Sequence, residues 1–175
     1  MEGRHGRVAK KIAYTALLVA MQVVLGNLIQ IPLLTKQFHL GFLPIALAGV
    51  AFGPVSAMLV GGLGDFIGAH IFPTGAYFIG FTLSNVLAGF LYGMVLCKRK
   101  HSFWTGAVAV VAVSFMYLFL NSYWLSIIMP ARSYWIWVGA RWWTYFIEIP
   151  LNATVYYVAV QAFEKVKLFP VSGTV

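Results

Sequence analysis

"GGLGDFIG", Gly61–Gly68, lies inside an apolar run from Val55 to Phe72 and holds Asp65, the only acidic residue between Glu2 and Glu148. A helix needs ~20 mostly apolar residues to cross the hydrocarbon core of a bilayer. The run around Asp65 is close to that length, and comparable runs recur along the whole chain. Of 175 residues, 61% are hydrophobic and 9% charged. A soluble domain carries about 25% charged residues, so there is too little charge here for a water-facing surface. The composition specifies an integral membrane protein in which one transmembrane domain, residues 1–175, accounts for the length.

Outward from this stretch, six helices fit. The first covers roughly Ile12–Leu33 and the second, about Gly41–Phe52, is too short to cross the core unless tilted, partial or shielded by protein. The third covers about Pro54–Phe72, the fourth Ala76–Leu96, the fifth Phe103–Met129 and the sixth Gly139–Val166. The fold class is all-α: a six-helix transmembrane bundle with a short second helix. The basic N-terminus precedes an apolar segment longer than a signal-peptide core, so that segment is expected to stay as a helix.

Charge sets the expected orientation. Arg4, Arg7, Lys10, Lys11, Lys98, Arg99, Lys100, Lys165 and Lys167 fall on one side, and Lys36, Arg132 and Arg141 on the other. Nine against three places both termini in the cytosol by the positive-inside rule. The same distribution accounts for the net charge of +8 without nucleic acid. Cys97, the single cysteine, excludes an internal disulfide and sits beside a cytosolic basic cluster. Trp135, Trp137, Trp142 and Trp143, with Tyr134, suit an aromatic belt at the outer surface.

At about 1.5 Å per residue, Asp65 is roughly 10 Å below the outer end of its helix. Asn27, Asn85, Asn121 and Glu148 come to about the same depth on four other helices. An intramembrane carboxylate costs at least about 2.5 kcal/mol unless it meets a partner or water. Two readings account for this layer: a buried polar network, or a pocket open to the outside. Above it lie Lys36, His39, Arg132, Arg141, Tyr77 and Phe78, which suit either anchors at the interface or the mouth of a site for an anionic, aromatic ligand. Small residues at helical spacing, including Gly64 and Gly68, Gly89 and Gly93, and Ala76, Gly80, Ser84 and Ala88, mark close helix contacts or, beside Asp65, open space.

No Walker, HExxH, CxxC or GxSxG motif is present, and His5, His39, His70 and His101 are scattered, so neither an enzyme, a metal site nor a cofactor is indicated. Active uptake would need an ATP-using partner.

The stretch Leu40–Gly93 carries "FLPIALAG", "FGP", "GDFIGA", "FPTGAYFIGFTLS" and "GFLYG". With the six-helix topology, these motifs resemble the substrate-binding S component of energy-coupling-factor vitamin transporters, and within that family the folate branch. The resemblance implies a high-affinity vitamin binder that is not an enzyme. It works with a transmembrane coupling subunit and two cytosolic ATPases in the cell membrane, and releases its ligand by reorienting. It also implies that Ala16 and Ala20, which match the family's Ala-x-x-x-Ala motif, contact the coupling subunit, and that the loop Thr35–Leu40 gates the site.

The residues add a partial argument of their own. A carboxylate can pair with the amine and ring N–H of a pterin, a role for Asp65 or Glu148, while Arg141, Arg132 or Lys36 would take the carboxylates of a glutamate tail. Asn85, Asn121, Tyr77 and His39 complete the candidate site. Pantothenate, hydroxymethylpyrimidine, or a stand-alone proton-driven transporter remain the alternatives.

Overall fold

A computed structural model describes residues 4–28, 30–33, 36–73, 77–97, 99 and 102–166. Among the described residues there are six α-helices: α1 (Arg4–Val23), α2 (Phe42–Phe52), α3 (Pro54–Ile71), α4 (Ile79–Leu96), α5 (Phe103–Ile128) and α6 (Tyr134–Val166). The segment Val8–Asn27, α3, α4 and α5 are each long and apolar enough to cross a bilayer.

Several helix ends differ from those expected: α1 begins at Arg4 rather than Ile12, and α4 at Ile79 rather than Ala76. The first helix does not run to Leu33. It passes through a π-helical turn, Val24–Leu28, and gives way to an antiparallel hairpin of β1 (Gln30–Leu33) and β2 (Lys36–His39). Pro32 explains the break, because it lacks an N–H and disfavours helix at Ile31. In a two-stranded hairpin each strand has a free edge, where a proline is tolerated. The expected gate loop is therefore in part a strand; its Thr35 lies outside the described residues, as do the side chains of Lys36 and His39. The sixth helix begins at Tyr134 rather than Gly139, since one interior glycine costs a helix only about 1 kcal/mol. Its 33 residues make it about 50 Å long, well beyond the ~30 Å core.

The short α2 is shielded by protein. Every residue from Pro44 to Ala51 is buried, which lets an 11-residue helix sit among the spans without meeting lipid. Gly53 joins α2 to α3 at φ +85°, a conformation that side chains rarely adopt, and Pro54 then opens α3 with a fixed φ suited to a first turn.

The contact between α3 and α4 organises the rest. A Cβ on Gly93 would run into Pro54, one on Gly89 into the backbone of Ala57 and Met58, and one on Gly61 into the carbonyl of Asn85. On α4 these levels fall at 93, 89 and 85, and on α3 at 54, 57 and 61. The two antiparallel helices thus touch backbone to backbone over three successive turns, as small residues permit in lipid. The next level outward pairs Asp65 with Thr82. On its other side α3 receives α1, where Gly64 lies against Gln22 and Gly68 against Asn27. The glycines around Asp65 are therefore filled by neighbouring helices, and the expectation of open space beside them is not met.

One core joins Leu18, Ile45, Leu47, Val60, Tyr92 and Val110, and a smaller one joins Leu118, Val138 and Tyr145 between α5 and α6. Outward, Val55, Leu59, Leu63 and Phe66 leave α3 an apolar face for lipid.

A valine at Gly89 would meet backbone that cannot rotate away. Gly89→Val is expected to cost about 1–3 kcal/mol and lower the melting temperature in detergent. Gly139→Ala, where nothing lies within 4 Å, should leave it unchanged or slightly raised.

Candidate functional site

The α3–α4 seam brings Asp65 into a hydrogen-bonded cluster. Thr82 Oγ1 donates to Asp65 Oδ2 at 2.6 Å, and Asn85 Nδ2 donates to Asp65 Oδ1 at 2.9 Å. Thr82 and Asn85 are three residues apart on α4, so they share a face. Tyr77, just before α4, places its hydroxyl 2.9 Å from Thr82 Oγ1. From α5, Tyr117 donates its hydroxyl to Asn85 Oδ1 at 2.7 Å. His70 and Phe66 extend the cluster along α3. The His70 ring lies 4.9 Å from that of Tyr77, and its Nδ1 is 2.7 Å from the Phe66 carbonyl oxygen.

A second set of polar groups lies along the inner face of α6. Arg141 is only 6% exposed, and its Nε and Nη1 have no hydrogen-bond partner. One turn outward, the buried Trp137 holds a similarly unpartnered Nε1, with the Arg132 guanidinium 5.3 Å from its ring centre. Inward, Tyr145 and Glu148 are buried and lie within electrostatic reach of Arg141. On α5, Asn121 Oδ1 and Ser122 Oγ are buried without partners. Tyr117 connects the two regions, being within electrostatic reach of both Asp65 and Tyr145.

Of the five-residue layer expected from depth, the structure bonds Asp65 directly to Asn85. Asn27 instead donates to the Val23 carbonyl of its own helix at 3.0 Å and packs on Gly68. Glu148 lies within electrostatic reach of Arg141, and Asn121 Oδ1 is buried on α5 without a partner. Tyr77 joins the Asp65 cluster as a member of the candidate site. Arg141 is buried rather than at an open mouth, and Arg132 is exposed above Trp137. Lys36 and His39 have only their backbone described. Trp137 departs from the expected belt by being buried, whereas Trp135, Trp142 and Trp143 are exposed. Ala16 and Ala20 are exposed on α1, away from the bundle.

Thr82, Tyr117, Ser122 and Trp137 are polar groups that depth alone did not find. Thr82 had a signal, at i−3 from Asn85; Tyr117 sits at i−4 from Asn121. An apolar groove lined by Phe115, Leu118, Trp142, Phe146 and Ile149 opens between α5 and α6, but neither Asp65 nor Arg141 lines it. No three His, Cys, Asp or Glu side chains come together to hold a metal among the described residues.

Comparison with known proteins agrees with this geometry. Residues 10–160 match the family model for the substrate-specific component of ECF transporters. The chain belongs to that family. A folate transporter FolT of Clostridium novyi (strain NT) is 34% identical over 116 residues, covering 66% of this chain and 67% of the relative. One from Leuconostoc mesenteroides subsp. mesenteroides is 30% identical over 128 residues, covering 72% and 69%. A crystal structure of FolT bound with folic acid superposes with a TM-score of 0.79 at 27% identity, covering 95% of this chain and 98% of that one. The S component is thus a multi-pass membrane protein that works with an ECF module and is not itself an enzyme.

Removing the buried guanidinium would leave Glu148 without the nearby positive charge. Arg141→Met is expected to cost about 3 kcal/mol in a denaturation titration in detergent, and adding Glu148→Gln should recover a substantial part of that loss.

Proposed function

We propose that this S component binds folate. The carrying observation is a division of unmet hydrogen-bonding capacity across the site. Arg141 Nε and Nη1 and Trp137 Nε1 are three buried donors without a partner. At Asp65 the surplus is in acceptors, since each carboxylate oxygen receives one hydrogen bond and has room for another. A ligand that meets both needs carries adjacent N–H donors at one end and carboxylates at the other. Folate has this form: the amine and ring N–H of its pterin suit Asp65, and the glutamate carboxylates suit Arg141. Tyr77, Asn85 and Asn121 are the further proposed contacts, with Arg132, Lys36, His39 and Glu148 as outlying members. Folate is also the ligand in the names of both FolT relatives and in the matching crystal structure.

The chain carries no ATP site, so transport falls to a transmembrane coupling subunit and two ATPases, with release by reorientation of the bundle. Ala16 and Ala20 are the proposed contact. Their exposure on α1 supports this, because Val8, Ile12 and Val24 continue the same exposed row at spacings of four. Both termini are assigned to the cytosol of a single membrane domain.

Two measurements test the reading. Intrinsic tryptophan fluorescence of ligand-free protein should show saturable quenching by folate and none by pantothenate, riboflavin or hydroxymethylpyrimidine. Asp65→Asn should weaken folate about 100-fold and Arg141→Ala about 10-fold or more. Unchanged binding in Asp65→Asn removes the pterin role of Asp65, and proton-driven uptake by the chain alone removes the need for a coupling module. For orientation, Cys97 follows α4 directly and is the chain's single cysteine. A membrane-impermeant maleimide should label it in inside-out vesicles and leave it unlabelled in intact cells; the reverse pattern inverts the assignment.

A further inference from the structure

We propose that Tyr117 is a positioning residue: through Asn85 it keeps the Asp65 carboxylate a pure acceptor, so that the site selects ligands whose ring edge presents two N–H donors side by side. The inference rests on the folate reading and adds to it a residue that need not touch the ligand and a reason for its presence.

A count of protons carries the argument. Thr82 has one hydroxyl proton, and it goes to Asp65 Oδ2. The Tyr77–Thr82 hydrogen bond must then be donated by Tyr77, because Thr82 has no second proton to give. Asn85 has two amide protons. One goes to Asp65 Oδ1 and the other to the Phe81 carbonyl, at 3.1 Å. Its amide oxygen accepts from Tyr117 at 2.7 Å. Every donor in the cluster is thus spent in one direction, from the two phenols inward to the carboxylate.

The Asn85 amide is the weak point of such an arrangement. Turned by 180° it would place its oxygen where Nδ2 now stands, facing the Asp65 oxygen and the Phe81 carbonyl, acceptor against acceptor. Tyr117 opposes that turn by giving the oxygen a donor on the other side. With Asn85 held and Thr82 supplied by Tyr77, Asp65 has no donor of its own to offer. A ligand edge rich in acceptors meets lone pairs and is rejected, whereas two adjacent N–H groups complete both oxygens. Tyr117 is placed for this by α5, which packs along α4, and its hydroxyl is already committed to Asn85. It acts on the ligand at one remove.

If Tyr117 were only a satisfied buried hydroxyl, its loss would change stability but not ligand choice. The test is therefore a ratio. The full chain in detergent, as wild type, Tyr117→Phe, Asn85→Ala and Asp65→Asn, is titrated by tryptophan quenching with folate and with an analogue lacking the 2-amino group, and each variant is checked by a thermal melt. Wild type is expected to prefer folate at least about 10-fold. Tyr117→Phe should melt as a folded protein and still bind, with that preference reduced to about threefold or less. Asn85→Ala cuts the same arm and should lose the preference equally, which keeps the question open to measurement if Tyr117→Phe does not fold. A preference intact in both variants, while Asp65→Asn loses folate, overturns the role of Tyr117 and leaves the folate reading standing. Folate that binds Asp65→Asn as well as wild type overturns both.

Discussion

A carboxylate half-buried in an apolar bundle is tolerated only where donors are already in place, and here the donors come from a second helix that must approach at backbone distance. The Asp65–Thr82 and Asp65–Asn85 hydrogen bonds depend on the levels below them, where Gly61, Gly89 and Gly93 remove the side chains that would hold α3 and α4 apart. The glycines and the acid are parts of one device. Without the close seam the carboxylate would have no donors, and without the carboxylate the seam would be ordinary helix packing.

The same constraint explains the treatment of α2. A helix of 11 residues cannot serve as a lipid-facing span, so its neighbours must enclose it. Gly49 lies against the backbone of Tyr92 and Gly93, which brings α2 onto the inner side of the same seam. Gly53 and Pro54 then turn the chain directly into α3, so α2, α3 and α4 are fixed relative to one another by backbone contacts. Asp65 is therefore carried on the least adjustable part of the molecule, which suits a group that must present a fixed edge.

Much of the fold was legible in the sequence, because apolar length and proline placement are local signals. The ends of the second to fifth helices follow from Gly53-Pro54, Pro73, the 98–100 basic cluster and Pro130. The hairpin was not legible as such: Pro32 ends a helix as readily by a loop as by a strand, and the pairing of Gln30 with His39 is a contact between segments. The site was legible in its acid and one amide. Depth placed Asp65 and Asn85 together, but depth says nothing of rotation, and rotation sends Asn27 to the Val23 carbonyl of its own helix. Tyr117 stayed out of view because a tyrosine in an apolar span looks like core until its hydroxyl is seen to have an acceptor.

Arg141 and Asp65 carry opposite charges in one membrane-embedded bundle without forming a direct pair in the structure. Had they paired, each would have satisfied the other and left little for a ligand. α5 packs against both α4 and α6, and its Tyr117 is bonded to Asn85 beside the acid. The acid sits on the seam of α2, α3 and α4; the base sits on α6, which meets α5 through a small core of Leu118, Val138 and Tyr145 and joins the main core through Tyr156 and Val160. Under the proposed reading, a ligand that meets both ends adds a bridge between α6 and the seam to the contacts that Tyr156 and Val160 already make.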